Sequence, residues 1–317
     1  MSLSATTKTH VSENLPKKPE SRAAVIDPAV EPLAELAGPA APVGPAPRAD
    51  APAGDPAAEG FVSFRRTVCH LPRLVGKGTR EVEVVLPGGY DPQGRHRVLY
   101  LLSAGGSKDT ESLRQVVKLG LHDRYGLICV LPTMGGWYPQ SSADWMQHVL
   151  VPYIEGTYAT RGDAEGRLLV GFSKSGWGAL SLILCNPDYF GYTISWDAPL
   201  MWEDKMGLAK GSYKSMEEFR HYQPVGAARR QAAHFRERAR LVVHGSAFWG
   251  GHAKRYHELL ESLGIRHHYA EGEYGGRPGH RWDSGWLAPA LAAMMDQVGV
   301  PPAAPMKPRT GKETLGD

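Results

Sequence analysis

The sequence predicts an α/β fold with a mostly parallel central sheet that is flanked by helices. Short apolar runs alternate with longer helical stretches along residues 61–298. From residue 97 onward these runs are rich in β-branched residues and lack polar alternation, which is typical of parallel strands buried on both faces. The body is about 240 residues long, a normal size for a single domain of this class.

Eight strands are predicted in chain order. The first two, 61–69 and 79–86, alternate polar and apolar residues and suit an antiparallel edge. The other six are predicted at 97–103, 127–132, 167–172, 192–197, 240–245 and 266–271. Helices are predicted at 109–124, 142–158, 174–186, 252–264 and 283–298. Ligands of such sheets bind beyond the C-terminal ends of the strands, so the loops at that edge are the candidate site loops.

Both ends of the chain differ in composition from this body. Residues 23–58 hold 13 Ala and 8 Pro among 36 positions, and such a segment buries too little apolar surface to offset its ordering entropy. We therefore predict a disordered, partly polyproline-II arm over 1–59 and a disordered tail over 300–317. The α/β domain is predicted over 60–299. Residues 198–238 are too long for a simple connection and form a candidate lid.

Charge and composition exclude several classes of protein. The chain has 36 Lys+Arg and 33 Asp+Glu, a net charge of +3, whereas a dedicated nucleic-acid binder is usually strongly basic. No apolar run reaches about 18 residues, so no membrane-spanning helix is expected. The first residues lack the apolar core of a secretory signal. Three scattered cysteines do not form a disulfide framework or a Cys-rich zinc site, so we expect a reduced, cytoplasmic setting and no metal.

One strand–helix junction carries a chemical motif. The stretch LLVGFSKSGWGAL, residues 168–180, matches the G-x-S-x-G nucleophile elbow with Ser173 at its centre. Small neighbours are required on such a sharp turn, and here the fifth position is Ser175 instead of the usual Gly. A phosphate-binding loop fits poorly, because no Gly precedes Lys174. The alternative is a Gly/Ser-rich turn without chemistry.

Together with this elbow, three further stretches make the chain resemble the esterase D-like branch of the α/β-hydrolase fold. That branch includes S-formylglutathione hydrolases, enterochelin and feruloyl esterases, and mycolyltransferases. The stretches are RVLYLLSAGG, the Trp137-Tyr138 pair before ADWMQHVLVPYIEGTY, and ESLGIRHHYAEGEYGGRPGHRWDSGWLAPAL. The resemblance implies a serine hydrolase that cleaves small-molecule carboxylic esters through an acyl-enzyme, without a cofactor. Acyl transfer and a non-catalytic binding protein are the alternatives, and the oligomeric state stays open.

His280 is the candidate general base. It lies in the Gly- and Pro-rich loop before the final helix, where this fold places its base. Its competitors lie on or beside the last two strands and are better explained as strand or helix side chains: His244, His252, His257, His267 and His268. By the family's pattern, the backbone N–H groups of Lys174 and Gly105 are expected to hold the oxyanion.

The acid of the triad departs from the family's pattern. In esterase D-like proteins a carboxylate follows the seventh strand, but Phe248 occupies that place here. The best substitute is Asp197, at the end of the sixth strand beside the nucleophile strand. The order Ser173–Asp197–His280 is the hydrolase order. Asp197 could instead be a turn residue before Ala-Pro; Glu203 and Asp204 lie further into the candidate lid, and Asp283 lies too close to His280 in sequence.

Tryptophan is concentrated near the predicted site edge. Seven of the eight tryptophans fall in segments that follow the strands: Trp137, Trp177, Trp196, Trp202, Trp249, Trp282 and Trp286. Indole rings offer a large apolar area with one polar donor and are favoured in ligand pockets. We predict an aromatic acyl or sugar pocket beside Ser173, lined by Trp137, Trp177, Trp202 and Trp249. The alternative is that these rings pack the 198–238 segment onto the sheet.

Overall fold

The computed structural model describes five ranges of the chain: 65–104, 110–201, 211–246, 248–272 and 280–301. The predicted arm 1–59 and almost all of the predicted tail, from residue 302, lie outside the described residues. Within the described part, no helix combines the length and the apolar character that a membrane span requires.

One sheet organises the described residues, with the strand order β1-β2-β4-β3-β5-β6-β7-β8. β1 pairs with β2 and β2 with β4 in antiparallel fashion, and the remaining pairs are parallel. The strands are Arg65–Pro72, Thr79–Leu86, Arg97–Leu102, Leu127–Pro132, Arg167–Phe172, Tyr192–Trp196, Leu241–Gly245 and His267–Glu271. The predicted fold class is confirmed, including the antiparallel edge.

Helices cover both faces of this sheet. In chain order α1 to α9 are Glu111–Lys118, Leu121–Tyr125, Gln140–Trp145, Val151–Thr157, Lys174–Cys185, Met216–Tyr222, Pro224–Gln231, Gly250–Ser262 and Leu287–Val298. The predicted helix 109–124 is divided at Gly120, whose φ of 62° cannot continue a right-handed helix. A π-helical turn, Met146–Leu150, joins α3 to α4.

Two short helices, α6 and α7, were not predicted. Ser215 caps α6 by accepting a hydrogen bond from the Glu218 N–H at 3.1 Å, and Pro224 begins α7. The capping pattern S-x-x-E and the Pro at a first helical position are both readable in the sequence. They lie in the segment 198–238, whose role as a lid stays a prediction.

The core forms two apolar layers, because successive strand residues point to opposite faces. Tyr100 and Leu169 belong to the layer under α5, α7 and α8, whereas Leu99 and Leu168 belong to the layer under α1 and α9. All four side chains are fully buried. The central strands are therefore held from both sides and form a rigid base for the loops at their ends.

The register of three neighbouring strands decides where those loops meet. Phe172 at the end of β5 is level with Trp196 on β6, and Trp196 is level with His244 on β7. Because these strands are parallel, the residues that follow each of them emerge at one edge of the sheet.

Candidate active site

Ser173 occupies the sharp turn between β5 and α5. Its φ of 55° and ψ of −120° are unusual for a residue with a side chain. Such a conformation costs about 1–3 kcal/mol and persists only where the surroundings enforce it. Here the Ser173 N–H donates to the Trp196 carbonyl at 2.9 Å, and the Trp177 N–H donates to the Ser173 carbonyl at 3.2 Å. The turn therefore holds the serine beyond the sheet edge in one fixed conformation.

The small residues around the turn are there for steric reasons. A Cβ at Gly171 would lie 2.0 Å from the Ser175 carbonyl oxygen, and one at Gly178 would lie 2.3 Å from Cδ2 of Tyr138. The Ser175 hydroxyl folds back on the turn, where it accepts from the Phe172 N–H and donates to the Phe172 carbonyl, both at 2.9 Å. The departure from Gly at the fifth position is thus accommodated, and Ser175 braces the elbow.

Asp197 follows β6 and is fully buried, with a φ of 43°. Its N–H donates to the His244 carbonyl at 2.8 Å. Its Oδ1 accepts from the N–H groups of Ser246 at 3.1 Å and Trp249 at 2.8 Å, and its Oδ2 accepts from the Ser246 hydroxyl. This carboxylate is therefore satisfied by the loop that follows β7, as a buried charge requires.

His280 lies against this carboxylate, with Nδ1 2.6 Å from Oδ2 of Asp197. Burial raises the pKa of Asp197, but the hydrogen bonds from His280, Ser246 and the Trp249 N–H outweigh it, so the pKa lies below its ordinary value. An ionised carboxylate only accepts, so Nδ1 of His280 carries a proton; in the neutral imidazole Nε2 then has a free electron pair. The imidazole is 32% exposed and packs 4.7 Å from the Phe172 ring, beside the nucleophile turn.

Phe248 stands where the family's pattern has its acid, and it contacts the base through its aromatic ring. Its ring stacks on the His280 imidazole, with centroids 4.5 Å apart and planes 29° apart. Ser246, which holds Asp197 twice, was missed by the sequence analysis. The only signal for it was its place just after β7, the strand that pairs with β6.

The candidate oxyanion donors are only partly described. Lys174 is the first residue of α5, where N–H groups have no partner within the helix. The loop before α3 packs closely here, because a Cβ at Gly136 would lie 2.7 Å from the Ala104 carbonyl oxygen and 3.0 Å from Cβ of Lys174. Gly105 lies outside the described residues, so its role stays a prediction.

The four predicted pocket tryptophans have different surroundings. Trp177 is fully buried, stacks on Phe219 at 5.7 Å and donates from Nε1 to the Tyr213 hydroxyl at 3.1 Å. In the structure Trp177 packs α6 and its preceding turn onto α5 and has no accessible surface. Its predicted place in a pocket wall stays a prediction. Trp137 meets it edge-on at 5.6 Å and is nearly buried.

Trp249 differs from these two because it is only partly buried. It begins the approach to α8 and meets the Phe248 ring edge-on at 5.2 Å. Its role in binding stays a prediction, and Trp202 lies outside the described residues. In the described part of the chain, no group of three or more His, Cys, Asp or Glu side chains could hold a metal ion.

Comparison with known proteins identifies the family of the chain. Residues 129–294, more than half of the chain, match the model of the family described as "Putative esterase". Esterase Rv1288 of Mycobacterium tuberculosis is 34% identical over 142 residues, which are 40% of this chain and 31% of that protein. The chain therefore spans about a third of the length of this curated relative.

Solved structures share the fold at low sequence identity. A ferulic acid esterase aligns with a TM-score of 0.60 at 18% identity, over 75% of this chain and 98% of that one. FphF, a fluorophosphonate-binding serine hydrolase of Staphylococcus aureus, aligns with a TM-score of 0.59 at 15% identity, over 74% and 98%. At such identities these likenesses establish the α/β-hydrolase fold alone. The family match over more than half of the chain shows that the chain belongs to this esterase family.

Proposed function

We propose that the protein hydrolyses small-molecule carboxylic esters through an acyl-enzyme on Ser173. The observation that carries this proposal is the contact of His280 with the buried Asp197 carboxylate, with 2.6 Å between Nδ1 and Oδ2, beside a strained serine elbow. A serine needs a base to remove its proton, and the base needs a fixed tautomer. Family membership supports the same reaction.

The proposed reaction assigns one step to each group. Oγ of Ser173 attacks the ester carbonyl carbon while Nε2 of His280 takes the hydroxyl proton, and Asp197 stabilises the imidazolium. The N–H groups of Lys174 and Gly105 hold the oxyanion of the tetrahedral intermediate. When the intermediate collapses, Nε2–H donates its proton to the leaving oxygen. Water then repeats the sequence on the acyl-enzyme and releases the carboxylic acid.

The alternative of a non-catalytic binding protein rested on Phe248 in place of the family's acid. A carboxylate on His280 from the neighbouring strand removes that support. Acyl transfer uses the same intermediate and differs only in the acceptor that captures it. Product analysis with added alcohols or sugars distinguishes transfer from hydrolysis. Two structural neighbours are named a ferulic acid esterase and an S-formylglutathione hydrolase. Ester and thioester substrates are therefore the first to assay.

A fluorophosphonate probe tests the proposal directly, because it labels only an activated serine. We expect stoichiometric labelling of the wild-type protein on the peptide that contains Ser173, and loss of labelling in Ser173→Ala. Ser262→Ala is the matched control: the Ser262 hydroxyl is exposed at the end of α8, where it donates to the Leu259 carbonyl at 2.7 Å, and this variant should still be labelled at Ser173. A folded wild-type protein that takes up no label and cleaves no aryl acetate would refute the proposal.

The cytoplasmic location also stays a proposal. It is supported by the three cysteines, each of which is a free thiol in the structure. Fractionation of the native host with an antibody to the protein tests it.

A further inference from the structure

Phe248 is an exposed aromatic ring in contact with the proposed base. Its side chain is 64% exposed, although phenylalanine is usually buried. The other large exposed apolar side chains in the described part of the chain are Val68, Leu74, Val75 and Leu119. None of these four has a described contact with His280, whereas the Phe248 ring stacks on it at 4.5 Å.

The backbone that carries this ring belongs to the loop that also holds the acid. The Phe248 N–H donates to the Ser246 hydroxyl oxygen at 3.2 Å, and the next N–H, of Trp249, donates to Asp197 at 2.8 Å. The Trp249 ring then meets Phe248 edge-on at 5.2 Å. The backbone at Phe248 is thus hydrogen-bonded and its ring contacts both Trp249 and His280, so less side-chain freedom is lost when a ligand packs on it.

Chemistry decides which part of a substrate this ring faces. Nδ1 of His280 is engaged by Asp197, so Nε2 must donate to the leaving oxygen when the tetrahedral intermediate collapses. The alcohol portion of the ester, which is bonded to that oxygen, therefore lies beside the Nε2 edge of the imidazole. There it is close to the side chains that pack on the two faces of the imidazole ring. In the described part of the chain two phenyl rings pack there: Phe172, which is nearly buried, and Phe248, which is open to a ligand.

We infer that Phe248 forms a leaving-group subsite that selects esters whose alcohol portion carries an aromatic ring. The inference rests on the proposed ester hydrolysis and adds the class of alcohol that is released. An aromatic group in this subsite packs on Phe248 and is shielded by Trp249, and one such ring–ring contact corresponds to roughly a tenfold preference. The acyl portion, bonded to Ser173, lies on the other side of the scissile bond and does not use this ring.

Two pairs of esters separate the two sides of the bond. The leaving-group pair is 2-phenylethyl acetate and ethyl acetate, whose alcohols differ by a remote phenyl group and have similar acidity. The acyl pair is ethyl phenylacetate and ethyl acetate. For the wild-type protein we expect kcat/KM to favour 2-phenylethyl acetate over ethyl acetate by about tenfold.

In Phe248→Ala this leaving-group ratio should fall to about two or less, and in Phe248→Leu it should lie between those of Phe248→Ala and the wild type. The acyl-pair ratio should not change in either variant. Both substitutions also remove a ring from the face of His280, so absolute rates fall for every ester. The ratio of two kcat/KM values from one preparation is independent of the fraction of active protein, which keeps the test valid if a variant folds less well. Val75→Ala, at an exposed apolar residue without a described contact to His280, is the matched control and should keep both ratios.

Three results would overturn the inference. An unchanged leaving-group ratio in Phe248→Ala removes the subsite while leaving the hydrolase intact. A change confined to the acyl-pair ratio assigns the ring to the acyl side instead. Failure of the wild-type protein to cleave any of the three esters, together with no fluorophosphonate label on Ser173, removes the proposed function itself and the subsite with it.

Discussion

Replacing Asp197 with Asn tests the substituted acid with the smallest change in shape. In the structure Oδ1 accepts two backbone N–H groups, from Ser246 and Trp249, and an amide oxygen can keep both bonds. The amide NH2 then takes the place of Oδ2 and faces Nδ1 of His280. Because an amide nitrogen only donates, Nδ1 must accept, and the proton of the imidazole moves to Nε2. An Nε2 that already carries a proton cannot take the proton of Ser173.

The size of the effect follows from this change of tautomer. The equivalent substitution in a well-studied serine protease lowers kcat by about 10⁴. At about 1.36 kcal/mol for each factor of ten, this corresponds to about 5 kcal/mol of lost transition-state stabilisation. We expect Asp197→Asn to lower kcat by about 10³ to 10⁴, with little change in KM, and to unfold cooperatively like the wild type.

The assay is hydrolysis of an aryl acetate at neutral pH, with active sites counted by fluorophosphonate titration and folding checked by circular dichroism. Asp283→Asn is the matched control. That carboxylate lies three residues from His280 but pairs with Arg281 at 2.7 Å, so kcat should stay within about twofold of the wild type. A folded Asp197→Asn protein that keeps more than a third of wild-type kcat would refute the assignment of Asp197.

A second variant asks whether the acid can be returned to the family's usual strand. Combining Asp197→Asn with Phe248→Asp places a carboxylate where the Phe248 ring now stacks on His280 at 4.5 Å. If the base needs only a carboxylate on Nδ1, kcat of the double variant should be at least about tenfold higher than kcat of Asp197→Asn alone. Recovery below twofold would show that the backbone at 248 cannot bring a carboxylate to Nδ1.

Three further predictions concern residues around the acid and the elbow. Ser246→Ala removes the hydroxyl, one of four donors to the Asp197 carboxylate, and leaves the backbone N–H of residue 246 in place. It should lower stability by about 1.5–3 kcal/mol and kcat by about tenfold, with Ser246→Thr restoring both; wild-type kcat in the Ala variant would exclude a positioning role. His244 is buried, and burial together with nearby His268 lowers its pKa to about 4. Between pH 6.5 and pH 4 the imidazole therefore binds a proton in the unfolded chain but not in the folded protein, so the free energy of unfolding should fall by roughly 3 kcal/mol over this range. In urea unfolding, the stability of His244→Leu should depend less on pH than that of the wild type. Gly171→Ala would place Cβ 2.0 Å from the Ser175 carbonyl oxygen, so we expect no soluble protein that a fluorophosphonate labels at Ser173. A variant that is labelled there and melts at a near-normal temperature would contradict the steric account of the elbow.

The strands were predictable because burial on both faces leaves a strong local pattern. The runs at 79–86, 127–132 and 167–172 coincide with the observed strands. Helix boundaries were less accessible, since the break at Gly120 depends on a φ of 62° that a lone glycine does not announce. The short helices α6 and α7 have end signals but too few turns to show a periodic apolar face.

The elbow itself was readable from sequence because sterics impose it locally: only small residues fit around Ser173, and the strand and helix that flank it are adjacent in the chain. The place of His280 before the final helix was equally a matter of chain order within a resembled family. The sequence could also show that Phe248 stands in place of the usual acid and could nominate Asp197 as its substitute.

Only the tertiary structure decided which carboxylate lies against His280 and what surrounds it. Asp197 meets His280 across 83 positions of sequence, and Ser246 meets Asp197 across 49. These contacts depend on the parallel order of β5, β6 and β7 and on the register that brings their ends level. Trp177 is fully buried and Phe248 is 64% exposed. No local pattern contains this difference, because burial depends on which distant segments pack on a residue.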